Sequence, residues 1–209
     1  MIVVETFPVG PLKCNCSIIG CTETKEAIVV DPGGDPKDIV AFSNLSNFKI
    51  KYLVHTHAHF DHIHGSRSVK EATGAEICLH KEDDWLYQNL AMQCQMFNFE
   101  CDEPLPVDRY LEDEEELFIG ETKFTVMHTP GHTPGSVCFS LKYNENVLFS
   151  GDTLFSRSIG RTDLWGGSYE KIIKSINNRL MVLEDDTRVV TGHGPSTTIW
   201  EERKHNPFL

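Results

Sequence analysis

Short apolar runs bounded by turn residues alternate along this chain with longer amphipathic stretches. Short runs rich in Val, Ile and Phe read as buried strands, and apolar positions recurring every three or four residues read as helices. The opening segment, MIVVETFPVG, reads as a first strand. Residues 15–21 and 27–30 predict two more, the second stopped by the turn sequence Asp31-Pro32-Gly33-Gly34. Residues 36–45 carry helical spacing, with Asp35 available as the N-cap. A strand over 50–54 runs into a histidine-rich loop, residues 63–73 predict a helix stopped by Gly74, and 76–79 a further strand. Residues 81–99 are the least regular: they begin helical and pass into a stretch with Met92, Met96, Phe97 and Phe99. Such a stripe reads as core, or as a cover over it that shapes an apolar pocket. Beyond an acidic turn at 112–116, strands are expected at 122–127, 137–141, 147–149 and 188–190, with an amphipathic helix over 169–183. Strands interleaved with helices, with no linker or repeat, give an α/β class and one domain over residues 1–209.

Composition narrows the function. The net charge of −12 argues against nucleic acid, whose binding rests on neutralising phosphates with Lys and Arg. No apolar run approaches the roughly 20 residues needed to span a bilayer, and the N-terminus lacks a basic start and apolar core of a signal peptide. The expectation is a cytoplasmic protein that engages neither membrane nor nucleic acid, its oligomeric state left open. Seven cysteines, Cys14, Cys16, Cys21, Cys78, Cys94, Cys101 and Cys138, are then read as reduced structural thiols.

The chemistry lies in His57-Ala58-His59-Phe60-Asp61-His62. Imidazole and carboxylate suit zinc and iron, and four such ligands in six positions crowd a single tetrahedral ion, so their density points to two. Three further segments place a ligand-type residue among glycines and prolines at a strand end: Thr129-Pro130-Gly131-His132, Gly151-Asp152-Thr153 and Gly192-His193-Gly194. Such junctions let the backbone approach a bound group closely.

This combination resembles the metallo-β-lactamase superfamily over nearly the whole chain. The resemblance implies two mixed β-sheets packed face to face with helices on both outer sides, an αββα sandwich. It assigns His57, His59 and His132 to a first metal, Asp61, His62 and His193 to a second, and Asp152 to a bridge between them. It also places Asp31 beneath the site as support for the ligands. Two zinc ions are the expected cofactors, with iron or manganese as alternatives. Within the superfamily, Gly151-Asp152-Thr153-Leu154-Phe155, Ser158-Ile159-Gly160-Arg161-Thr162-Asp163 and the ending Asn206-Pro207-Phe208-Leu209 resemble the glyoxalase II-like hydrolases. That likeness implies cleavage of a small-molecule thioester, such as S-D-lactoylglutathione or a related acyl thioester, by a metal-bridged hydroxide. Asp61 is expected to orient the nucleophile, and Arg161 to anchor a substrate carboxylate or to pair with Asp163. The separate C-terminal helical domain of hydroxyacylglutathione hydrolases is not expected here, and Gly194 and Pro195 stand where those enzymes carry a tyrosine. The rival reading is an oxidoreductase similar to the persulfide dioxygenases, with one iron on His57, His132 and Asp152. His55, His64, His80 and His205 fall outside the ligand set, with His55 expected as a hydrogen-bonded histidine at a strand end and His64 at the rim.

Overall fold

The computed structural model describes residues 1–209. The first sheet contains β1 (Ile2–Val9), β2 (Cys14–Cys21), β3 (Glu26–Val30), β4 (Lys49–Val54), β5 (Glu76–His80) and β6 (Arg109–Leu111), side by side in that order. The first three pair antiparallel and the last four parallel, which makes the sheet mixed. The second sheet is built from β7 (Glu116–Ile119), β8 (Thr122–His128), β9 (Val137–Lys142) and β10 (Asn146–Gly151). A two-stranded hairpin, β11 (Leu154–Phe155) and β12 (Ser158–Ile159), follows, and β13 (Arg188–Thr191) and β14 (Thr197–Thr198) complete the sheet in the order β14-β13-β10-β9-β8-β7.

Strand residues alternate between two apolar layers. In β3, Ala27 and Val29 enter one cluster while Ile28 and Val30 enter another; in β9, Val137, Phe139 and Leu141 face one side and Cys138 the other. The cluster of 18 buried residues shared by the two sheets is the centre of the sandwich. A second cluster, of 21 residues, joins the outer face of the first sheet to α1 (Pro36–Leu45), α2 (Phe60–Ile63), α3 (Ser66–Thr73), α4 (Asp84–Gln88) and α5 (Leu90–Met96) through Ile39, Ile63, Val69, Leu86 and Leu90. The third seals the outer face of the second sheet with α6 (Tyr169–Ser175) and α7 (Ile199–His205). Because both faces of each sheet are covered, strands such as AIVV and IVV read as continuous apolar runs. The expected αββα sandwich is the observed fold.

Local details depart from expectation where a tertiary partner intervenes. Asp35 does not cap α1: it adopts a left-handed conformation and its carboxylate accepts from the Gly10 amide at 2.8 Å. The helix expected over 63–73 is two pieces, broken at His64 and Gly65. Helix α6 widens into a π turn over Ile176–Leu180. Strands β6, β7, β11, β12 and β14 are too short to show a period of two. Not all the thiols are free, either: Cys94 and Cys101 form a disulfide that closes the loop between α5 and residue 101, while the other five cysteines are free and buried.

Candidate metal centre

The expected ligands lie beyond the C-terminal ends of strands. His57 and His59 are in the loop after β4 and Asp61 and His62 in the α2 turn that follows it, while His132 follows β8, Asp152 follows β10 and His193 follows β13. These loops meet at one edge of the sandwich, and the meeting is fixed by hydrogen bonds between them. The Val137 amide donates to the Thr56 carbonyl at 2.7 Å, and the Asn15 amide to the Gly192 carbonyl at 2.7 Å. The Asn15 side chain also donates to the carbonyls of Thr191 and Gly194. Glycine is required where the loops close in. A Cβ on Gly192 would lie 2.1 Å from Asp152 Oδ1, and Gly151 has φ of +48° with Thr56 Oγ1 2.3 Å from where a Cβ would sit.

All seven expected ligands converge. In the first set, His132 Nε2 lies 2.8 Å from His59 Nδ1 and 3.2 Å from His57 Nε2. In the second, His193 Nε2 lies 3.0 Å from Asp61 Oδ2 and 3.2 Å from His62 Nε2. Asp152 stands between them: Oδ2 is 3.6 Å from His132 Nε2, while Oδ1 is 3.4 Å from His62 Nε2 and 3.8 Å from His193 Nε2. His57, His59 and His132 are buried together, and Asp61, His62 and His193 form an adjoining cluster.

The outer nitrogens decide what the inner ones offer. His132 Nδ1 donates to the Arg161 carbonyl at 2.7 Å and His193 Nδ1 to the Leu12 carbonyl at 3.1 Å. His62 Nδ1 donates to Asp31 Oδ2 at 3.0 Å. His57 Nδ1 donates to Thr56 Oγ1, whose own proton goes to Asp31 Oδ2 at 2.7 Å. A neutral imidazole that donates from Nδ1 presents a lone pair at Nε2, so four lone pairs and two carboxylates point into one small space. Asp152 Oδ1 is buried there without any hydrogen-bond partner. Lone pairs this crowded repel one another unless cations lie between them, so the donor set fits divalent metal ions.

Electrostatics agree. Burial, reinforced by the neighbouring imidazoles, pushes His57 far below the usual histidine range and His59 down to about 3. Both are therefore neutral imidazoles, each with one ring nitrogen free to bind a metal at neutral pH. Burial alone would raise Asp152, yet His62, His132 and His193 hold it well below the carboxylate range. His62 is raised despite its burial because Cys14, Asp152, Asp61 and Asp31 surround it. The second half of the centre thus favours positive charge.

Residues outside the set behave as ordinary structural groups. His55 is fully buried, donating from Nδ1 to the Cys78 carbonyl and accepting at Nε2 from Ser66, as expected of a strand-end histidine. His64 is exposed at the rim, His80 stacks on His128, and His205 packs against Trp200. Ser136 is bonded to Thr133 in the turn after His132, whereas Ser150, expected in a turn, lies in β10 and donates to the Leu154 carbonyl. Arg161 borders the cavity over the candidate ligands, and its guanidinium makes two bonds to Asp163 at 2.7 and 2.8 Å. That cavity, of 280 Å³, is walled by Leu12, Phe60, Phe97, Leu164 and Trp165. The aromatic stripe of residues 85–99 divides: Leu86, Tyr87 and Leu90 are core, whereas Phe97 stacks on Phe60 at 5.0 Å and lines the cavity. Thr56, Asp83 and Gln93 escaped the sequence reading. Asp83 sits in the run Lys81-Glu82-Asp83-Asp84, which reads as solvated helix start, and nothing local marks it as buried.

The sequence profile of the metallo-beta-lactamase superfamily matches residues 9–193. The chain is 36% identical to hydroxyacylglutathione hydrolase GloC of Haemophilus influenzae, over 99% of this chain and 97% of that protein. It superposes on the crystal structure of BLEG-1 B3 metallo-beta-lactamase with a TM-score of 0.90 and 38% identity, covering 99% of both chains. A di-iron-bound form of TTHA1623 matches with a TM-score of 0.86 and 35% identity, over 98% of this chain and 100% of that one. Fold, ligand constellation and relatives agree, and the chain belongs to the metallo-β-lactamase superfamily.

Proposed function

We propose that this metal-dependent hydrolase cleaves a small-molecule thioester of the hydroxyacylglutathione class, using two divalent ions. The observation that carries the reading is the pair of converging ligand sets that share Asp152 at the floor of one cavity. The likeness to hydroxyacylglutathione hydrolase GloC, end to end, supports the substrate class. Two ions held by these residues, zinc by the preference of imidazole and carboxylate, iron or manganese otherwise, would supply a Lewis acid and bring a bound water's pKa to about 7.

The chain's own residues do the rest. Asp61 lines the cavity with Oδ2 3.0 Å from His193 Nε2, which supports its reading as the carboxylate that orients the attacking water by accepting a hydrogen bond from it. Burial raises its pKa, but His62 and His193 bring it below the ordinary range, which keeps it an acceptor. The apolar wall excludes bulk water from the carbonyl and so strengthens every polar interaction within. Arg161 is the cation at the mouth; its Nε and one terminal nitrogen bond Asp163, and the other terminal nitrogen is the group offered to a substrate carboxylate. A single-iron oxidoreductase would use His57, His132 and Asp152 of the same set, so the number of ions bound separates the two readings.

The test is metal analysis of protein purified without added metal, followed by thiol release from a thioester panel that includes S-D-lactoylglutathione. Close to two ions per chain and released thiol are expected, with Arg161→Ala raising KM for anionic thioesters and leaving kcat near the parent value. One iron per chain, with oxygen consumed in the presence of glutathione persulfide, would overturn the proposal.

A further inference from the structure

Two side chains in the segment 81–96 are fully buried and polar, yet neither is a metal ligand. Asp83 Oδ2 accepts from the Ala58 amide at 2.9 Å and from Thr133 Oγ1 at 2.8 Å, and Oδ1 accepts from the Gly135 amide at 2.6 Å. Gln93 Oε1 accepts from the Phe60 amide at 3.0 Å, and Nε2 donates to the carbonyls of Ala58 and Leu86 at 2.9 and 2.8 Å. Ala58 and Phe60 flank His59, and Thr133 follows His132. The two side chains therefore grip the backbone on both sides of one histidine and bridge across to the loop that bears another.

The arrangement is costly unless it has a use. Asp83 is a carboxylate with no exposed surface and no cationic partner, and it is stabilised by three hydrogen bonds alone. A buried charge of this kind generally adds less to stability than an apolar replacement would. The Gly135 loop also packs onto it closely, since a Cβ on Gly135 would lie 2.6 Å from the Asp83 amide nitrogen. His59 has less support of its own than the other histidines: its Nε2 is buried without a hydrogen-bond partner, whereas His57, His62, His132 and His193 are each held through Nδ1. Its ring must be aimed through the backbone that carries it.

We infer that Asp83 and Gln93 are positioning residues that preorganise the His57–His59–His132 set, gripping its two loops through their peptide groups and Thr133. The inference rests on the metal-centre reading above. Asp83→Asn keeps shape and volume but leaves one acceptor oxygen for three donors, and Gln93→Leu removes the hold on Ala58 and Phe60. Glu202→Gln is the control, a fully buried carboxylate in α7 bonded to Thr197 and Asn206.

The experiment is titration of the metal-stripped chains with cobalt(II) against a chelator, read by visible absorption and accompanied by circular dichroism and thermal melts. In D83N and Q93L one of the two cobalt sites should weaken about 10- to 100-fold, the loss typical when a ligand's supporting contacts are removed. The spectrum of that site should change while the other ion binds as in the parent. E202Q should lower the melting temperature without altering either site. If D83N and Q93L bind both ions with the parent's affinity and spectrum, the inference fails, whatever happens to their melting temperatures. If the parent itself binds no pair of ions, it is the metal-centre reading that fails.

Discussion

Asp152 stands between the two candidate ligand sets. Its two oxygens face different ligand sets, and Oδ1 has no hydrogen-bond partner within the protein. Asp152→Ala is expected to release both ions, measured as metal content after gel filtration; a variant that retained two ions would disprove the bridging role. Asp31 works at one remove. It accepts a hydrogen bond from His62 directly and one from Thr56, whose oxygen in turn accepts from His57, so one carboxylate sets the tautomer of a candidate ligand in each set. A turn-forming aspartate before proline looks the same in sequence. Only the position of Thr56 and His62 beside it separates support of ligands from turn chemistry.

Between elements, the loop carrying His132 is anchored from outside the centre as well. Asp113, in the turn before β7, accepts from the His128 amide at 2.8 Å and from both terminal nitrogens of Arg179 at 2.9 Å, while Arg179 also reaches Glu114. This ties the end of β8 to the π turn behind α6, and gives the acidic run at 112–116 a partner that its sequence does not name. Partial burial would raise Asp113, but Arg179 and the His128 amide hold it below the usual range. A depressed carboxylate contributes stability above its unfolded pKa and loses it as pH falls through the folded one. Arg179→Ala should therefore cost about 1 kcal/mol at neutral pH, some 2–4 °C in Tm. The gap from the parent should close below about pH 4, where the unfolded chain's aspartates take up protons. A gap independent of pH would assign the loss to packing of the arginine stem.

For the whole molecule, the three apolar clusters close without help from the metal ligands, so the sandwich should outlast removal of the ions. Chelation is expected to leave circular dichroism unchanged and to lower Tm. Binding to the folded state alone contributes about 2.7 kcal/mol per ion at a free concentration 100 times Kd. A Tm unmoved by chelation would mean that the loops hold no ions. Much of this architecture was legible before any coordinates. Runs such as AIVV and IVV are apolar throughout only when both faces of a strand are covered, and the ligands are residue types whose chemistry survives any folding. The α/β class, the principal strands and the seven candidate ligands were therefore legible in the sequence itself, with the αββα arrangement implied through the resemblance. What the tertiary structure alone decided are the pairings that no local pattern names: Asp83 and Gln93 against the Ala58 and Phe60 amides on either side of His59, Asp35 against Gly10 rather than its own helix, and Cys94 joined to Cys101. A buried aspartate and a solvated one are the same letter. The difference lies in which donors the fold brings to it, and that is a property of distance in space rather than of order along the chain.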